Sequence, residues 1–90
     1  MSAGEPREKR LAEAVAVLVE AIHHDVPTAS TRPLPPYDDE DFTLEVQIPA
    51  GMDRDTVRDI CIRHALAIEE QFGFLILTRV KLAEAAEASA

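Results

Sequence analysis

Ninety residues make at most one small domain. A domain of that size buries only about 60% of the surface its unfolded chain exposes, which leaves no room for a large cofactor cavity beside a core. Seventeen acidic against nine basic residues give a net charge of −8. That balance argues against nucleic acid and anionic membranes, which are bound by clustered Lys and Arg, and it suits a partner with a basic surface. The single cysteine, Cys61, excludes an internal disulfide and a zinc site built on several thiolates, and it makes the reducing cytoplasm the expected compartment. Seven arginines to two lysines, with abundant alanine, point weakly to a GC-rich bacterial genome.

Residues 1–5 read as a disordered N-terminus. From residue 6 the pattern is helical: Leu11, Ala14, Val15, Leu18, Val19 and Ile22 recur at i, i+3, i+4, i+7, i+8 and i+11. The spacing predicts an amphipathic helix over 6–25, opened by Pro6 and stopped by Pro27. Arg7, Lys9 and Arg10 precede this apolar stretch as they would in a signal peptide, but Glu13 and Glu20 interrupt the apolar region such a segment needs. Nowhere do about 18 apolar residues run together, so no membrane-spanning helix is expected.

Residues 26–41 read as a stiff, acidic linker. Pro27, Pro33, Pro35 and Pro36 oppose hydrogen-bonded structure. Arg32-Pro33-Leu34-Pro35-Pro36-Tyr37 resembles the proline-rich ligands of SH3 domains, and its second half resembles those of WW domains. Asp38, Asp39, Glu40 and Asp41 form a solvated charge run and are the expected contact for a basic partner.

Residues 42–82 read as a β-α-β unit. Phe42, Leu44, Val46 and Ile48 alternate with Thr43, Glu45 and Gln47, as in a strand with one buried face. Asp53 is placed to cap a second helix over about 53–72, and Gly73 to stop it. That helix has two apolar surfaces: the stripe from Val57 through Cys61 to Ile68, and Ile62 with Leu66 nearly opposite. A strand over about 74–82 follows, with Leu75 and Leu77 sharing a face with Arg79 and Lys81. Residues 83–90 read as a frayed or disordered tail.

The predicted fold is a single α+β domain of order α-β-α-β, close to half of a ferredoxin-like sandwich. Two strands with one crossover helix are not stable alone, so the sheet is expected to be completed by a second copy. Ile62, Leu66, Leu75 and Leu77 are the candidate oligomer interface.

Candidate chemistry is thin. His23, His24 and His64 could offer nitrogen to a metal, yet adjacent helical histidines point about 100° apart and rarely share an ion. Cys61 and His64 at i, i+3 have the types of a nucleophile pair, but both fall on the apolar stripe. The Gly51 loop lies where many α/β proteins hold phosphate, but Asp53 and Asp55 repel anions. The expectation is a non-catalytic interaction or assembly module without cofactor or bound metal, acting as a homodimer. The alternatives are a regulatory module with a small ligand at the dimer interface, and a metal-dependent protein using the histidines.

Overall fold

A computed structural model describes residues 5–36 and 39–83. Helix α1 spans Glu5–Asp25, strand β1 Ser30–Leu34, strand β2 Phe42–Ile48, helix α2 Arg54–Phe72 and strand β3 Ile76–Leu82. The domain is α+β, with two helices and a three-stranded mixed sheet of order β1-β2-β3. Strands β1 and β2 pair antiparallel, and β2 and β3 pair parallel across the α2 crossover.

One core cluster joins Ala14, Leu18 and Ile22 of α1, Val57, Cys61 and Ile68 of α2, and Leu44, Val46, Ile48 and Ile76 of the sheet. Leu44, Val46 and Ile48 are two apart and point the same way, so both helices lie on one side of the sheet. The alternate residues Thr43, Glu45 and Gln47, with their register mates Leu77, Arg79 and Lys81, turn to the other side. The α1 stripe and the two-residue period of β2 therefore bury as their spacing predicts.

Strand β1 corrects the expected linker. Segment 26–41 is not unstructured throughout: Ser30–Leu34 pairs along its length with β2, setting Arg32 opposite Glu45 and Pro33 opposite Leu44. A proline cannot donate to a ladder, which excludes it from central strands but leaves it at home on an edge. Strand β1 is such an edge, and Pro33 is the one proline within it. Arg32 Nε lies 2.6 Å from Glu45 Oε1, a cross-strand ion pair added to the backbone ladder. Arg32, Pro33 and Leu34, the first half of the SH3-like segment, are therefore engaged in the sheet. Tyr37 and Asp38 lie outside the described residues, as do 1–4 and 84–90.

The order is thus α-β-β-α-β rather than α-β-α-β, and the sheet reaches three strands within one chain. The argument that two strands need a second copy to be complete falls with it. The parallel strands are also immediate neighbours, so this β-α-β unit is not the split form of ferredoxin-like sandwiches.

Helix α2 starts and stops on side chains the sequence provides. Asp53 Oδ1 accepts from the Asp55 backbone N–H at 3.1 Å, and its Oδ2 accepts from Thr56 Oγ1 at 2.9 Å. At the other end Gly73 takes φ 82° and donates its N–H to Glu69 O at 2.8 Å. The last turn of α2 contains no basic residue of its own. Arg10 of α1 supplies one, donating to Phe72 O at 2.9 Å. Arg7 lies over the Phe74 ring at 5.3 Å and reaches Asp41 Oδ1 at 2.8 Å. Arg7 and Arg10, ahead of the α1 apolar stripe, thus clasp the α2–β3 junction.

Gly73→Ala is expected to cost about 1 kcal/mol, since a Cβ at positive φ is strained. Nothing lies within 4 Å of where that Cβ would stand, so the cost is conformational rather than a clash. Urea unfolding measures it, and an unchanged midpoint would mean that the helix end rearranges.

Candidate functional site

Strand β3 is the second edge of the sheet, and it is longer than β1. Leu75 O accepts from the Asp41 N–H, and the Ala83 N–H donates to Ile48 O, each at 2.8 Å. Odd-numbered residues of β3 therefore turn their backbone groups toward β2. By the alternation of a strand, Ile76, Thr78, Val80 and Leu82 turn theirs outward, where the sheet has no further strand among the described residues.

Four large apolar side chains flank this edge. Ile62 is 40% exposed, Leu66 56%, Leu75 45% and Leu77 41%, alongside a core whose members are almost wholly buried. With Ala65 they line an open groove of about 220 Å³ between α2 and β3. Arg58 and Glu69, on α2, also line it. Eleven residues of helix separate them by about 16 Å, so the groove is basic at one end and acidic at the other. The four residues singled out from the sequence are thus brought together on one surface.

The acidic run is partly committed inside the fold. Asp41 holds Arg7 through Oδ1 and the Leu75 backbone N–H through Oδ2, at 2.8 Å each. Glu40 Oε2 accepts from Thr43 Oγ1 at 2.6 Å. Asp39 is exposed, and Asp38 lies outside the described residues. Two of the four carboxylates thus brace the start of the β2–β3 ladder.

The remaining candidates separate. His64 Nε2 lies 2.6 Å from Asp25 Oδ2, tying α2 to the end of α1. His23 and His24 sit in the last turn of α1, where they complement its negative end. Among the described residues no group of three or more His, Cys, Asp or Glu stands close enough to hold a metal ion. No helix among them is long and apolar enough to cross a membrane.

Cys61 is fully buried, and burial pushes its thiol up from 9.0 to about 11. Two pKa units lower the thiolate fraction at neutral pH about a hundredfold, so alkylation is expected to be slow in the native state and fast in urea. The linkage has a definite sign. Between pH 9 and about 11 the unfolded chain loses this proton and the folded chain keeps it, so stability is full below pH 9 and falls through that window. Urea midpoints of wild type and Cys61→Ala against pH check it: only the wild type carries this component of the fall.

One feature escaped the linear reading. Arg54 at the start of α2 and Arg79 and Lys81 on β3 line an open hollow of about 620 Å³ at the C-terminal end of β3. In sequence Arg54 stands 25 or more residues before the other two, and only the parallel crossover brings it beside them. The one available signal was the alternation of Arg79 and Lys81 on a strand face. Comparison with family models, curated proteins and solved structures finds no match to this chain.

Proposed function

We propose that the protein is a non-catalytic assembly module that self-associates through the β3 edge and the α2 groove. The observation that supports this reading is the self-complementarity of that surface: unpaired strand edge and apolar residues in its middle, Arg58 at one end, Glu69 at the other. An isologous dimer needs one patch that matches its own copy after a two-fold rotation. A dyad beside Leu77 runs the two β3 strands antiparallel. Leu77 then faces Leu77 of the copy, Ile76 exchanges backbone hydrogen bonds with Thr78 of the copy, and the stem of Arg79 covers Leu75 of the copy. The two α2 helices run antiparallel as well, which carries Arg58 toward Glu69 of the copy. The result is a continuous six-stranded sheet with all helices on one side.

Unlike the reading from sequence, this dimer is not needed to complete the fold. It covers an edge and four apolar side chains that a folded monomer leaves in water, a surface of the kind that marks interaction sites. Light scattering behind a sizing column, across a dilution series, tests it. Twice the chain mass that persists on dilution supports the reading, and the mass of one chain at every concentration overturns it.

A further inference from the structure

Helix α2 presents a second stripe to the groove, apart from the one it buries. Arg58, Ile62, Ala65 and Glu69 line the groove and recur at i, i+4, i+7 and i+11, within an arc of about 60° of the helix. The buried residues Val57, Cys61 and Ile68 centre about 90° away, so this stripe looks past the β3 edge rather than into the core. Its two ends are charged and its middle is apolar. The side chains of Arg58 and Glu69 have no ion pair or hydrogen bond among the described residues, whereas Arg63 of the same helix is paired with Asp59. The stripe also matches its own reverse. The two-fold axis that sets Ile62 against Ala65 of an antiparallel copy sets Arg58 against Glu69 of that copy, because both pairs centre midway between residues 63 and 64. A parallel copy would set Arg58 on Arg58 and Glu69 on Glu69.

We propose that Arg58 and Glu69 select the partner of this groove: they admit a second copy in the antiparallel orientation and reject chains without the reciprocal charges. The inference rests on the self-association reading and names what makes it selective. A bare strand edge beside an apolar groove otherwise accepts strands of many sequences. Charges flanking the apolar seam of paired helices set partner and orientation more than affinity. Each contact occurs twice across the dyad, so reversing one residue turns two attractions into two repulsions.

Charge reversal tests it, read by light scattering across a dilution series. At about 0.1 M salt R58E and E69R should each weaken the dimer about tenfold or more. Mixed in equal amounts they should regain the dimer mass, because both cross-dyad contacts then join opposite charges. The R58E/E69R double variant should pair with itself but not with isotope-labelled wild type, which native mass spectrometry distinguishes. At about 1 M salt, where the screening length falls to about 3 Å, the variants should approach wild type. Circular dichroism should show all of them folded: both side chains are exposed, and arginine suits the last turn of α2, which has no basic residue. A wild-type dimer whose mass withstands both single reversals overturns this inference and leaves the self-association reading standing. So does a mixture of the two folded variants that stays monomeric, or a double variant that pairs freely with wild type. A wild-type chain that is monomeric at every concentration overturns both.

Discussion

Leu77→Asp is expected to turn the proposed dimer into a monomer over the whole working concentration range. In the antiparallel arrangement Leu77 meets itself at the dyad on the helix-free face of the sheet, so one substitution replaces an apolar cross-strand pair with two carboxylates directly opposite each other. Losing the apolar pair costs about 2 kcal/mol and the facing like charges about 1 kcal/mol more, which raises the dissociation constant about a hundredfold. The monomer should survive the change, because the Leu77 side chain is already 41% exposed and no part of the core cluster. Light scattering reads the mass, and circular dichroism confirms that the fold is kept. Leu66→Asp places a charge on the helix side of the same interface and should act in the same direction. If both variants retain the dimer mass across dilution, the chains associate by some other surface.

Much of this surface was legible in the sequence, for a simple physical reason. Ile62 and Leu66 lie off the α2 stripe, and Leu75 and Leu77 lie off the buried face of β3, so an intact period predicts four apolar residues with nothing to cover them. The cover is what period cannot supply. Strand β1 shows why: its five residues, Ser-Thr-Arg-Pro-Leu, carry no strict alternation, and Pro33 speaks against a ladder unless the strand is already known to be an edge. Edge position is a property of the sheet, fixed only once β2 has found β1 on one side and β3 on the other. The acidic run was equally opaque. Nothing local distinguishes Asp41, which receives Arg7 and the Leu75 N–H from distant elements, from exposed Asp39. The basic hollow needed the α2 crossover to bring residue 54 beside residues 79–82.

Leu18→Ala is expected to be among the most destabilising single truncations in the chain, at about 2–5 kcal/mol. Leu18 lies at the centre of the α1 stripe, is 0% exposed, and belongs to the core cluster that includes Ile22, Val46 and Cys61. Alanine is the better helix former, so propensity works slightly against the effect and the loss reflects packing alone. Domains of this size are stable by only about 5–15 kcal/mol, so such a loss threatens a large share of the total. Val17, the preceding residue, is 41% exposed, and there the same change to alanine should be neutral or slightly stabilising because it removes a β-branched side chain from a helix. The pair makes a test of register, since two adjacent positions 100° apart on one helix carry opposite expectations. Urea unfolding with a common m-value reads the difference directly. Equal losses at both positions would place α1 in a different rotation against the sheet. Losses near zero at both would mean that α1 adds little to the core, and that β2, β3 and α2 hold the domain together without it.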